Sequence, residues 1–210
     1  MTNRASKTAW LFPGQGSQSV GMGKETVLAS AAARDVWQRV DQALGEDFFA
    51  RVSEGPEELL TLTANAQPAI LATSCAVLAA LRERFPALPL PGLAAGHSLG
   101  EYSALAAADA LTVEDAVRLV RARGMAMQEA VPTGVGAMAA VMVLDADAVT
   151  AICEEAERAE GATPGEVVRP ANFNGPGQVV IAGHAAAVAR AAELASARRG
   201  KVKMLNVSAP

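Results

Sequence analysis

Hydrophobic positions fall into two rhythms along the chain: short unbroken apolar runs, which suit buried strands, and stretches with helical spacing. A break at 131–136, where Pro132, Gly134 and Gly136 punctuate the pattern, divides the chain in two. Before the break, a strand over Thr8 to Phe12 enters a Gly-rich loop, Pro13 to Gly23, and helical patterns follow over Thr26 to Leu44 and Pro68 to Phe85. Proline suits the first turn of a helix, where its missing N–H costs nothing, so the second of these is expected to start at Pro68. Gly92 to Gly96 is a short apolar run between turn residues and precedes an Ala-rich helical stretch, Leu99 to Ala108. The sequence Thr112-Val113-Glu114-Asp115 has the form of a capping box and opens a helix to about Ala130.

After the break the pattern predicts strands over Ala137 to Leu144, Val167 to Phe173, Gln178 to Ala182 and Val202 to Val207, with helices over Asp145 to Ala159 and Ala185 to Arg198. The order β-α-β-β-α-β predicts a ferredoxin-like subdomain.

Composition narrows the class. Of 210 residues, 51% are hydrophobic and 19% charged, as in a globular chain, and with only 4% aromatic residues the core must be filled by alanine and aliphatic side chains. A mean hydropathy of +0.21 raises the question of a membrane span. The longest apolar stretch, Ala69 to Leu81, is interrupted by Thr73 and Ser74 and is too short to cross a bilayer. At the N-terminus Arg4 and Lys7 precede only Ala9 to Phe12 before Pro13 and Gly14, so a signal peptide is not expected. The expectation is a soluble, cytoplasmic protein without membrane partners. A net charge of −4 argues against a nucleic-acid partner, and the basic run Arg198, Arg199, Lys201, Lys203 is expected to solvate a helix end. Cys75 and Cys153 form no disulfide framework, and neither they nor His97 and His184 have metal-ligand spacing. Metal and redox chemistry are not expected.

Three features carry candidate chemistry. Gly96-His97-Ser98-Leu99-Gly100 is a G-x-S-x-G sequence between a strand and a helix, where a serine would sit on a sharp elbow with Oγ exposed and the Leu99 N–H aimed at a developing oxyanion. The flanking glycines are expected to permit the strained turn and to leave room for substrate. Five-residue matches of this kind also arise by chance in Gly-rich chains. The loop Gly14-Gln15-Gly16-Ser17-Gln18 can bring a second backbone N–H to the same place, or be an ordinary turn; it fits neither a dinucleotide fingerprint nor a P-loop. On the helix after Thr112, Arg123 falls about 20° from Ala116 on the stripe of Val113, Val117, Val120 and Met127, while Arg118 and Arg121 lie on other faces. An inward guanidinium requires an anion, either an internal Asp or Glu or part of a substrate. Ser98 also requires a base, and neither histidine suits: the side chain of His97 diverges from its neighbour's at a tight turn, and His184 is expected to cap a helix or lie at the surface.

The set Phe12-Pro13-Gly14-Gln15-Gly16-Ser17-Gln18, Gln67-Pro68-Ala69-Ile70, Gly96-His97-Ser98-Leu99-Gly100-Glu101-Tyr102, Arg121-Ala122-Arg123-Gly124 and Asn172-Phe173-Asn174 resembles the malonyl-CoA:acyl carrier protein transacylase family, whose motifs polyketide-synthase acyltransferase domains share. The resemblance runs from about Thr8 to Pro210 and implies an α/β fold. Residues 1–131 would be the N-terminal part of a large α/β-hydrolase-like subdomain, with the ferredoxin-like subdomain, 132–210, inserted into it. It implies that Ser98 takes malonyl from malonyl-CoA and passes it to the pantetheine thiol of acyl carrier protein, in fatty acid biosynthesis. Gln15 and Leu99 would supply the oxyanion hole and Arg123 would bind the malonyl carboxylate, with no cofactor beyond the coenzyme A of the substrate. In the family the catalytic histidine lies just beyond the segment matching Asn206-Val207-Ser208-Ala209-Pro210, so the expectation is that these residues are part of a longer enzyme. A serine esterase or thioesterase on the same elbow, and a non-catalytic module binding acyl carrier protein through the basic run, are the competing readings.

Overall fold

A computed structural model of the chain describes residues 7–130 and 134–205. It divides into two compact units, Met1–Ala126 and Met127–Pro210.

In the first unit two parallel strands, β1 (Ala9–Phe12) and β2 (Leu93–Gly96), pair in a register that sets Phe12 opposite Gly96. Both therefore end at the same level, and the loops that follow leave the sheet side by side. Among the described residues, seven helices complete the element order: α1 (Lys24–Ala29), α2 (Ala31–Leu44), α3 (Phe48–Glu54), α4 (Glu57–Thr61), α5 (Thr63–Arg84), α6 (Gly100–Ala107) and α7 (Val113–Ala130), the last of which crosses the division between units.

The single helix expected over Thr26 to Leu44 is two. Ser30 is extended (φ −134°) and its hydroxyl accepts the Ala33 N–H at 3.0 Å while donating to Glu83, so the chain stops and restarts there. From that cap, α2 buries Ala33, Val36, Trp37 and Val40 on one face and ends at left-handed Gly45. Trp37 meets Phe49 and Phe48, and the remaining core is drawn from Ala69, Leu71, Ala72 and Ala76 of α5 and Ala116, Val117 and Val120 of α7. Thr112 caps α7 by accepting the Asp115 N–H at 3.1 Å, and its hydroxyl in turn donates to the Asp115 carboxylate, a variant of the expected box.

The helix α5 starts five residues before Pro68, which thus lies inside it instead of in its first turn. The consequence is length: at 22 residues α5 is, by length and composition, a helix that can cross a membrane, which the run Ala69 to Leu81 is not. Its burial accounts for that composition, since Thr63, Asn65 to Ala72, Cys75, Ala76 and Leu78 are all buried.

The second unit runs β3 (Gly136–Met142), α8 (Ala146–Arg158), β4 (Val168–Gly175), β5 (Gln178–His184), α9 (Ala185–Ala197), β6 (Lys201–Leu205). Its antiparallel sheet has the order β4-β5-β3-β6. Residues Ala139 and Val141 of β3, Val179 and Ile181 of β5, Val149, Ile152 and Cys153 of α8, and Val188 and Ala191 of α9 form its core. The edges are managed: Pro170 sits at a bulge on β4, and the exposed Lys201 and Lys203 stand on β6. Arg198 pairs with Glu155, so the basic run is divided between an ion pair and a sheet edge. The expected extension of the last strand to Val207, and the Asn206 to Pro210 segment, lie outside the described residues, as do 131–133 at the expected division.

One thiol lies in each core. Burial pushes Cys75 up to about 12 and Cys153 up to about 11, so neither is a thiolate near neutrality. In native buffer at pH 8 neither is expected to react with a thiol-selective disulfide reagent over minutes, and both should react on denaturation. Because each reports its own unit, unequal labelling in partial denaturant would show the units opening separately.

Candidate active site

The strand β2 delivers the chain into the elbow. Ser98 adopts φ 55°, the left-handed region that a non-glycine residue enters only at a cost of about 1–3 kcal/mol. The glycines on either side have a different task from the one expected. The serine bears the strained conformation itself, and the glycines permit close approach: a Cβ on Gly96 would lie 1.9 Å from the Gly100 carbonyl carbon and oxygen, and one on Gly100 would lie 2.5 Å from the Phe12 oxygen. The turn is folded on itself and pressed onto the end of β1.

The Gly-rich loop is held to that turn. His97 N–H donates to the Phe12 carbonyl at 3.1 Å, and a Cβ on Gly14 would lie 2.6 Å from both the His97 carbonyl oxygen and its Nδ1. The imidazole thus rests on the loop. Gln15 is fixed next to it by a hydrogen bond from its Nε2 to Thr63 Oγ1 at 2.9 Å. No hydrogen bond among the described residues uses the backbone N–H of Gln15 or of Leu99, the residue that opens α6.

Arg123 reaches the elbow from α7. Its Nη2 donates to Ser98 Oγ at 3.0 Å and its Nη1 to Gln67 Oε1 at 2.6 Å. The internal Asp or Glu considered as its partner is not there: no ion pair among the described residues includes Arg123. The carboxylate belongs instead to Arg121, which pairs with Glu46. The helical stripe brings Arg123 to the elbow but misplaces Arg121, expected on another face: its side chain is only 17% exposed and turns inward to bond Ala64 and Asn65 of α5.

Two residues with no role assigned from sequence, Thr63 and Gln67, complete the arrangement. They are fully buried, stand one turn apart on α5, and hold Gln15 and Arg123 respectively. The signal that finds them is a pair of polar residues at i, i+4 in a helix whose neighbouring positions are apolar. His184 is the N-cap residue of α9 through its backbone, and its Nδ1 accepts the Val167 N–H at 3.0 Å. Among the described residues no cluster of His, Cys, Asp or Glu can hold a metal ion.

Chemically, an exposed hydroxyl on a tight turn, backbone donors without acceptors beside it and a guanidinium within hydrogen-bond reach suit attack on an acyl carbon whose substituent carries an anion. Residues 9–209 match the family described as acyl transferase domain, and the chain belongs to that family. It is 48% identical over 206 residues to the malonyl CoA-acyl carrier protein transacylase of Bacillus subtilis, a match that covers 98% of this chain and 62% of that protein. The acyl-carrier-protein S-malonyltransferase of Burkholderia pseudomallei superposes with a TM-score of 0.85 at 45% identity, over 96% of this chain and 63% of the other. A malonyl-transacylase solved in complex with its type II polyketide-synthase acyl-carrier protein superposes with a TM-score of 0.88 at 43% identity, over 98% of this chain and 64% of that one. The chain thus spans a little under two thirds of the length of these relatives, and over that span it is an α/β protein with their fold.

Proposed function

We propose that this chain carries the nucleophile, oxyanion donors and carboxylate clamp of a malonyl-CoA:acyl carrier protein transacylase of fatty acid biosynthesis. The observation that carries the reading is Arg123, a guanidinium with no internal carboxylate, 3.0 Å from Oγ of a serine in a left-handed elbow.

Ser98 Oγ attacks the thioester carbonyl of malonyl-CoA. The C–O bond forms, the C–S bond breaks, the hydroxyl proton passes to a base, and coenzyme A leaves as its thiol. In the second half the pantetheine thiol of acyl carrier protein gives its proton to the base and attacks the seryl ester, the C–S bond forms, the C–O bond to Ser98 breaks, and Ser98 regains its proton from the base. The N–H groups of Gln15 and Leu99 receive the negative charge that develops on the carbonyl oxygen. Arg123 exchanges its bond to Oγ for the malonyl carboxylate, with Gln67 holding the other arm of the guanidinium in place. Neither His97, turned onto Gly14, nor His184, whose Nδ1 already accepts a backbone N–H, is placed to be that base, and the family resemblance assigns the role to a histidine in the part that this chain does not span. The acyl-carrier-protein partner is supported by the relatives' names and by the solved complex of one of them.

The same reading takes 1–131 as part of a large α/β-hydrolase-like subdomain and 132–210 as a ferredoxin-like one, in a cytoplasmic enzyme that needs no cofactor beyond its substrate's coenzyme A. The β-α-β-β-α-β order of the second unit and its sheet order support the latter description.

Incubation with malonyl-CoA, with the relatives' C-terminal third supplied in the same chain, should add one malonyl group to the peptide containing Ser98, and Ser98→Ala should abolish it. An unmodified Ser98 peptide sinks the proposal. Steady release of free malonate without acyl carrier protein would point to a hydrolase instead.

A further inference from the structure

Inside α5, Pro68 has no N–H to give to the carbonyl four residues earlier, so the Ala64 oxygen lacks the donor that an α-helix would supply. That turn lies against α7, where a Cβ on Gly124 would be 2.7 Å from Ala64 Cα and from the Thr63 oxygen, and Ala64 is half-buried there. An unmet carbonyl there would be costly. Arg121 of α7 meets it, donating from Nη1 at 3.0 Å. The same guanidinium also donates to Asn65 Oδ1 and Glu46, and its carbon stands 4.8 Å from the centre of the Phe48 ring. Burial lowers the Arg121 pKa, and the Glu46 carboxylate opposes that shift. Arg121 is therefore a clamp on one turn of α5, and that turn lies between Thr63, which holds Gln15, and Gln67, which holds Arg123.

We infer that Arg121 is a positioning residue for recognition of the acyl carboxylate: by replacing the hydrogen bond that Pro68 removes, it fixes the turn that sets Gln67 against Arg123. The inference rests on the carboxylate-binding role proposed for Arg123. A lysine cannot substitute, because one planar fork reaches acceptors on three residues at once.

The test measures binding of malonate itself to the full chain, by titration, in Arg121→Met, Gln67→Ala and the double variant. Each single change should weaken malonate binding about tenfold, and the double should weaken it no further, because both act through one contact. Adding Pro68→Ala to Arg121→Met returns a backbone N–H to the Ala64 carbonyl and should recover part of the affinity, which a residue needed only for stability would not do. Should Arg121→Met fail to fold, Glu46→Gln, which keeps Arg121 but removes its ion pair, should weaken binding in the same direction, again without adding to Gln67→Ala. Unchanged affinity in the Arg121 variant, effects that multiply to about a hundredfold in the double variant, or no malonate binding by the unsubstituted chain would each overturn the inference. Ser98 malonylation, scored separately, distinguishes the two proposals: malonate binding coupled as described, with no acyl-serine formed, would leave Arg121 in its role and remove the transacylase reading.

Discussion

Arg123→Ala is expected to reduce malonyl uptake by Ser98 by two to three orders of magnitude and to leave acetyl uptake near or above its starting level. The site is open without substrate, so the size is that of a carboxylate which bound substrate would enclose and which then lacks its partner, about 3–5 kcal/mol for a buried pair broken on one side. The preserved acetyl reaction follows from the division of labour proposed for the site: the guanidinium would meet the acyl group's distal anion, whereas charge on the carbonyl oxygen would be received by the backbone N–H groups of Gln15 and Leu99. Parallel assays with malonyl-CoA and acetyl-CoA decide it. Because Nη2 also touches Ser98 Oγ at 3.0 Å, there is a sharp alternative: an equal loss with both acyl donors would show that Arg123 serves the hydroxyl and not the carboxylate.

Gly96→Ala is the second large effect. The added carbon would lie 1.9 Å from backbone atoms of Gly100, which no rotamer change relieves, so β2 and α6 must move apart. A cost of about 4 kcal/mol or more is expected, at the upper end of single substitutions, seen as a melting temperature lower by about 10 °C. Uptake of an acyl group at Ser98 should be lost well below that temperature, since the elbow opens before the unit unfolds. Gly175→Ala, with nothing within 4 Å of the new carbon, is the matched control and should change stability by under about 1 kcal/mol. Equal melting temperatures for the two variants would contradict the packing described for the elbow.

The elbow was legible because its signal is local: a serine between two glycines, after a strand and before a helix, has few other ways to fold. The inward direction of Arg123 was legible from helical periodicity for the same reason. What Arg121 and Arg123 of α7 meet was not, because Glu46, Ala64, Asn65 and Gln67 lie more than fifty positions away in sequence and no spacing rule connects them. The start of α5 was misread through a sound preference, proline in a first turn, which was overridden by a tertiary hydrogen bond from Arg121. The break at Ser30 had a local signal, a capping hydroxyl, but it was submerged in a helical pattern that continues on both sides. The packing task of the elbow glycines has no local signal, because close approach is a property of two segments and a single segment's sequence registers only that a small residue is there.

The contact of Gly14 with His97 has a consequence for how such a site can change over generations. A side chain at position 14 would meet the His97 ring and also its carbonyl oxygen, so shrinking the histidine leaves the backbone obstacle standing. No single substitution at 97 can make room for a larger residue at 14, and the loop and the elbow can drift only together, by backbone movement. Mutational libraries that vary the two segments separately should therefore find position 14 closed, while joint libraries, with insertions allowed at 15–18, are where acceptable alternatives would be found.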